Sequence, residues 1–304
     1  TQSMRQVWAA KHRPSTLDQF KGQPHLRAEF EAILKREAPM QHYIFYSPEP
    51  GSGKTSMAYL LAETLGYSIF KYNASSKRQR GIEFVESDLA PMTRLGQYES
   101  VYFLDEADQL TDAAQSALKG VIEEAQGFFI LTCNDLSKVS PWLQSRCAVR
   151  EFRPVSDDDV LARLVTVAST AGSTVEAAHL DSSASAHNGD LRNAINALQA
   201  YAHLPESERQ AFLNSLGRQG TDAHRVLTLC FKEASVDEAV REMGSVANLR
   251  HAIDDVFRYG VASQAGPKSK MTLVDAATQA QRDLISGVEP HYVVWDFCRR
   301  LSEH

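Results

Sequence analysis

A chain of 304 residues, 43% hydrophobic and 23% charged, is long enough for two or three domains and has no apolar run near the ~18 residues of a membrane helix. Its formal charge of −6 disfavours a protein that coats nucleic acid by bulk electrostatics, which should be basic. The four cysteines, Cys133, Cys147, Cys230 and Cys298, are scattered without a C-x-x-C pair, which argues against a zinc knuckle or a disulfide framework and fits a reducing compartment.

The opening stretch, TQSMRQVWAAKHRP, lacks an apolar export segment, so a cytoplasmic location is expected. Within it, residues 4–14 carry Arg5, Lys11 and Arg13 and no acid. A strand is predicted at HYIFYS (42–47). It runs into SPEPGSGKTS (47–56), in which Gly51, Gly53, Lys54 and Thr55 fit the tail of a phosphate loop, G-x-x-x-x-G-K-[ST]. Consecutive amides on such a loop, opening onto a helix N-terminus, cradle an anion. Residues Gly51, Ser52, Gly53, Lys54, Thr55 and Ser56 form the expected nucleotide-binding run. Lys54 meets the β- and γ-phosphates, and the Thr55 hydroxyl ligates Mg²⁺. Pro48 stands where the pattern asks for glycine. Proline loses an N–H and fixes φ, but it still begins a turn, and it lies at the end of the loop away from the converging amides. An ordinary glycine turn is the bland alternative.

TSMAYLLAETLG follows as a helix with Gly66 as its stop. The next strand, SIFKYNA (68–74), leads into KYNASSKRQRG (71–81), which holds Lys71, Lys77, Arg78 and Arg80 and no acid. VYFLDEAD (101–108) closes an apolar strand (100–106) on two carboxylates. Asp105 there would hold the metal, directly or through water, and Glu106 would orient or deprotonate the attacking water. Further strands are predicted at GFFILTCN (127–134) and AVREF (148–152). These runs are dense in aromatic and branched residues and mostly continuous rather than alternating, as expected for parallel strands covered on both faces. After Pro154 only helices are predicted. Ser156 caps SDDDVLARLVTVASTAG, GDLRNAINALQAYA and PESERQAFLNSLG follow, and the chain reads as helical from about Thr221 to its end apart from a break near SQAGPKSK. The expected architecture is an α/β phosphate-loop domain with a five-stranded parallel sheet (1–153), a small helical lid (154–204) and an all-α terminal domain (205–304).

These residues together resemble the clamp-loader branch of the AAA+ ATPases. The elements in the family's order are KHRPSTLDQFKGQ, the phosphate loop, NASSKRQRGI, DEAD, TCN, LQSRC at 143–147 and GDLRNAINALQ at 189–199. The form S-P-x-P-G-x-G-K-T is similar to the large subunit of bacteriophage clamp loaders, where proline likewise replaces the glycine. The resemblance implies ATP and Mg²⁺ as cofactors. It implies that Asn134 senses the γ-phosphate or the attacking water, that Arg192 reaches the nucleotide from the lid, and that Arg146 enters the neighbouring subunit's site as an arginine finger. Gln115 matches a residue that couples sites. Lys11, Arg13 and Pro14 flank the adenine pocket in relatives, and His12 replaces the usual tyrosine. Taken singly, Arg146 could be a surface ion pair, Asn134 a turn residue and Arg192 a solvated side chain.

By the same resemblance the expected partners are copies of this chain and a distinct smaller subunit in a pentamer, a sliding clamp and primer–template DNA, with no membrane. Lys77, Arg78 and Arg80 would follow the DNA backbone, and the clamp surface would take in Leu89, Pro91 and Met92. Competing readings are a Holliday-junction motor, a replication initiator or a non-hydrolysing ATP-binding scaffold. The first two usually carry a winged helix with a hairpin, which is not predicted after residue 221. The scaffold would be expected to have lost part of the Lys54, Glu106, Arg146 set, and all three are present.

Overall fold

Five runs of aromatic and β-branched residues become five strands in the computed structural model, which describes residues 7–173, 175, 180, 184, 187, 189–216, 221–244 and 249–303. Residues 4–6 of the N-terminal basic stretch and much of 174–188 in the expected lid lie outside the described residues. The strands are β1 (Tyr43–Tyr46), β2 (Ser68–Asn73), β3 (Ser100–Asp105), β4 (Phe128–Cys133) and β5 (Ala148–Glu151). They form one sheet in the order β2-β3-β4-β1-β5, and every pairing is parallel.

The continuous apolar character of the strands has a direct structural cause. Tyr43, Phe45, Val101, Phe103 and Ile130 pack on one side of the sheet, together with α2 (Arg27–Leu34) and α3 (Lys54–Leu65). Ile44, Tyr102, Leu104, Phe129 and Leu131 pack on the other, together with α4 (Ile82–Phe84), α5 (Ala90–Leu95), α6 (Asp112–Glu124) and α7 (Pro141–Arg146). In the central strands β1, β3 and β4 both faces are covered, so alternation disappears from their sequence. β2 lies at the sheet's edge and is less buried than the central strands.

Between α4 and α5 lies a π turn, Val85–Leu89, and the three segments run on as one helical stretch. Leu89 is fully buried in the core and Met92 packs against it. Leu89 therefore cannot belong to a partner surface. The exposed apolar side chains of this region are Ile82, Leu95 and Tyr98.

Beyond the sheet, α8 (Asp157–Thr170) starts at Ser156, whose hydroxyl accepts from the Asp159 amide, with three aspartates in its first turn. This is the cap and the dipole complement that Ser-Asp-Asp-Asp supplies. Gly172 follows at φ 68. α8 and α9 (Leu191–Ala202) enclose a small core of Val160, Leu164, Val167, Ala194, Ile195 and Leu198. Trp8 and Ala9 of α1 (Trp8–Lys11) pack against that core, and the Trp8 amide donates to Gln199 Oε1 at 2.8 Å.

The chain divides into two compact units, residues 1–184 with 188–204, and residues 205–304 with 185–187. In the second unit the described elements are α10 (Glu206–Leu216), α11 (Ala223–Phe231), α12 (Val236–Gly244), α13 (Leu249–Ala262), α14 (Pro267–Ile285) and α15 (Pro290–Ser302). Apolar faces of α11 to α15 meet in one core that includes Leu229, Ile253, Val256, Leu273 and Phe297. Among the described residues no helix is long and apolar enough to cross a membrane.

Phe45 is fully buried and lies 4.8 to 5.7 Å, ring to ring, from Phe152, Tyr43 and Phe30. Phe45→Ala is expected to destabilise the first unit by about 3–5 kcal/mol, measured as a lowered denaturation midpoint with an unchanged slope.

Candidate active site

In a parallel sheet all carboxyl ends fall on one edge, so the residues that follow β1, β3 and β4 become neighbours despite their distance in sequence. β1 and β4 pair directly, and their exits bring Lys54 and Asn134 together: the Lys54 ammonium donates to Asn134 Oδ1 at 2.9 Å. Burial pulls the Lys54 ammonium below its ordinary range, against the raising influence of Asp105 and Asp108.

The loop between β1 and α3 depends on two glycines with positive φ, Gly51 at 75° and Gly53 at 100°. A Cβ on Gly53 would lie 2.8 Å from the Phe20 ring, and one on Gly51 would lie 1.9 Å from Asp190 Oδ1. Asp190 caps α9 by accepting from the Asn193 amide at 3.1 Å. The Leu191 amide at the start of that helix donates to the Gly51 carbonyl at 3.1 Å. The loop is thus hydrogen-bonded to the helix that carries Arg192. Ser52 is buried, and its hydroxyl finds no hydrogen-bond partner among the described residues.

At the end of β3, Thr132 organises the acidic pair. Its hydroxyl donates to Asp105 Oδ1 at 2.6 Å and accepts from the Glu106 amide at 3.0 Å. Glu106 has φ 55, a left-handed conformation that costs a non-glycine residue about 1 kcal/mol or more and is retained where surrounding contacts enforce it. Lys71 on β2 stands 3.8 Å from Asp105 Oδ2. Asp108 accepts from the Asn134 and Asp135 amides at 3.4 and 3.2 Å, which shapes the turn after β4.

Of these groups Phe20, Gly51, Ser52, Gly53, Lys54, Lys71, Asp105, Glu106, Thr132, Asn134, Leu191 and Arg192 line one cavity of about 310 Å³. Of the expected site residues, His12, Arg13, Pro14, the run 51–56, Asp105, Glu106, Asn134 and Arg192 line it; Lys11 does not. Its cations are Arg13, Lys21, Lys54, Lys71, Arg163 and Arg192, and its carboxylates are Asp105 and Glu106, a formal excess of +4. In a chain of net charge −6, that concentration fits a polyanion. Burial, then Lys11 and Arg163, lower the pKa of His12 below its ordinary value. Arg163 is almost fully buried and donates through Nη2 to the His12 carbonyl. Arg13 lies 4.2 Å over the Tyr59 ring.

The donor set also fits a magnesium nucleotide. Among the described residues no group of three or more His, Cys, Asp or Glu is placed to hold a metal. A divalent ion here would take Thr55 and Asp105 as protein ligands and draw the rest from phosphate and water, as Mg²⁺ does.

Arg146, Gln115 and the basic turn lie outside the cavity. Arg146 is exposed, pairs with Glu123 at 3.4 Å and sits 5.4 Å over Trp142. Gln115 is buried; its amide donates to the Leu110 and Lys138 carbonyls and accepts from the Ser140 amide at 2.7 Å. Since Ser140 caps α7, Gln115 joins the turn after the DEAD run to the helix that ends at Arg146. Lys77, Arg78 and Arg80 lie on the turns between β2 and α4, with Lys77 and Arg78 exposed and Arg80 exposed in its turn. The site residues that the sequence did not disclose are Thr132, Arg163, Lys71 and Asp108. Thr132 and Asp108 stand within the TCN and DEAD runs and Lys71 within the basic stretch at 71–81, whereas Arg163 has no local signal.

The family model described as ATPase family associated with various cellular activities (AAA) matches residues 43–155. The chain is 31% identical over 324 residues to the replication factor C small subunit of Staphylothermus marinus, covering 97% of this chain and 94% of that protein. It is 28% identical to the Thermoplasma volcanium protein of the same name over 93% of each, and 37% identical to the Halobacterium salinarum one over 66% of this chain and 65% of that. Among solved structures, the Thermotoga maritima RuvB Holliday junction branch migration motor matches with a TM-score of 0.58 at 20% identity, covering 79% of this chain and 86% of that one; this is a likeness of fold.

Gly51→Ala places a methyl against Asp190 and should break the bond between the Leu191 amide and the loop. Hydrogen exchange at Leu191 is expected to accelerate, and an unchanged rate would show that the loop and α9 are not joined there.

Proposed function

Because the chain belongs to the replication factor C small-subunit family of AAA ATPases, we propose that it is an ATP-hydrolysing subunit of a loader that opens a sliding clamp and places it on primer–template DNA. The observation that carries this reading is the convergence of Lys54, Asp105, Glu106, Asn134 and Arg192 on one cavity with a +4 excess, while Arg146 stands exposed outside it.

ATP sits with its phosphates on the amides of 51–56 and its base toward His12, Arg13 and Pro14. Lys54 and Arg192 meet the β- and γ-phosphates, and Asn134, linked to Lys54, faces the γ-phosphate and the attacking water. Glu106 orients that water and accepts its proton as the terminal phosphoryl is displaced. Thr55 and Asp105 would hold Mg²⁺, which when bound would supply charge neutralisation to the phosphates. The remaining requirement is a cation on the transferring group, and Arg146 of an adjacent copy supplies it. Its own ion pair with Glu123 is exposed on both sides, 53% and 43%, so little is lost when the guanidinium leaves it.

The wider assembly follows the same reading. Copies of this chain, with a distinct smaller subunit, form a cytoplasmic pentamer around DNA. The helical lid between 154 and 204 follows the state of the nucleotide, and residues 205–304 form the collar that holds the subunits together. Lys77, Arg78 and Arg80 contact DNA phosphates, which position the duplex without reading its sequence. A Holliday-junction motor or an initiator finds no further support, because the likeness to RuvB extends to fold alone and all described elements after residue 221 are helical.

Glu106→Gln is expected to keep ATP binding and to lower steady-state turnover by ~10²-fold or more; turnover at the normal rate would remove Glu106 from its role. Arg146→Ala and Lys54→Ala chains, each inactive alone, should regain partial ATPase activity when mixed. No recovery in intact assemblies would count against a shared site. Replacing Lys77, Arg78 and Arg80 by Ala should weaken DNA binding and flatten the slope of log affinity against log salt, and unchanged affinity would put the DNA elsewhere.

A further inference from the structure

Gln23 is a second non-glycine residue with left-handed backbone in the first unit's interior. Its φ is 54, and it is 3% exposed. A buried polar side chain on strained backbone persists when its contacts over-determine it, and here they do. The Gln23 amide donates to the Ser52 carbonyl at 3.0 Å and to the Arg153 carbonyl at 2.6 Å. Its oxygen accepts from the Arg153 amide at 2.7 Å. One side chain therefore takes both backbone groups of Arg153, the second residue past β5, and one backbone group of the phosphate loop. Gly22, at φ 90, leaves room for the approach, since a Cβ there would lie 3.2 Å from Val155 Cγ2.

The Ser52 carbonyl shares a peptide plane with the Gly53 amide. That plane is trans, as no cis bond occurs among the described residues. In a trans peptide C=O and N–H point in opposite directions, so a donor that captures the Ser52 oxygen also sets where the Gly53 N–H points. Ser52 and Gly53 both line the cavity. We propose that Gln23 is a positioning residue for phosphate binding: by anchoring the Ser52 carbonyl to the Arg153 peptide, it fixes the Gly53 N–H toward the bound phosphates. This rests on the reading of the cavity as an ATP site. It also makes the phosphate loop and the chain leaving β5 toward the lid a single hydrogen-bonded body.

A side chain that merely filled space would change stability without singling out phosphate. The distinguishing experiment uses the full-length chain with Gln23→Gly and Gln23→Glu. Glycine suits φ 54 and removes only the side chain with its amide. Glutamate keeps an acceptor for the Arg153 amide but turns a second oxygen on the two carbonyls. Displacement of a fluorescent ATP analogue is measured with ATP and with inorganic tripolyphosphate, alongside the thermal midpoint of the free protein. Gln23→Gly should weaken both ligands by about tenfold, the scale of one hydrogen bond, and Gln23→Glu should weaken them at least as much. Binding within twofold of the unsubstituted protein by either folded variant overturns the proposal. So does a loss for ATP that tripolyphosphate does not share, because the effect would then lie away from the phosphates. An unsubstituted protein that binds neither ligand would instead overturn the ATP reading itself, so the two failures are distinguishable.

Discussion

Six cationic side chains share a small cavity with two carboxylates, and most of what surrounds the site answers that imbalance. Like charges brought together out of water repel strongly, and burial favours their neutral forms. Lys54 shows this directly, since desolvation lowers its pKa and its hydrogen-bond partner is the neutral amide of Asn134. A bound polyanion relieves both strains together. Such a ligand supplies the counter-charge that two carboxylates leave unmet, which is a reason for an acidic chain to gather basic residues in one place.

Holding that constellation requires backbone as much as side chains. The phosphate loop is attached on three sides: by Phe20 against Gly53, by Gln23 on the Ser52 carbonyl, and by the Leu191 amide on the Gly51 carbonyl. Glycines at 51 and 53 permit the close approaches, and Glu106 occupies a left-handed conformation secured by Thr132. Strain of this kind survives only where neighbours enforce it. The sheet core beneath, with aromatic rings from β1, α2 and the segment after β5 in contact, supplies the rigid base.

Much of this is legible in the chain itself. Continuous apolar runs disclose the strands because both faces of the sheet are covered. Gly51, Gly53, Lys54 and Thr55 disclose the loop because few other residues permit that backbone or that chemistry. Ser156 with three following aspartates marks a helix start for electrostatic reasons that are local. What stays hidden is non-local. Arg163 meets His12 across 151 positions and Trp8 meets Gln199 across 191, and nothing in either neighbourhood announces a partner. Leu89 escapes for a different reason: resemblance alone places it on a partner surface, whereas the fold buries it at the end of the π turn at 85–89. Gln23 is visible as a letter in a family element, but its work depends on the carbonyls of Ser52 and Arg153, which no sequence spells out.

The separation of Arg146 from the cavity has a consequence for architecture. On the reading given above, each chain presents a cation on one surface and needs one at another, so neighbouring copies must associate head to tail rather than through a shared twofold patch. A head-to-tail series that does not close has two unlike ends, one whose cavity lacks a donor and one whose donor has no cavity to serve. Such an arc always completes one fewer pocket than it has members. Polarity along the arc, and an idle position at its end, then follow from where a single guanidinium sits.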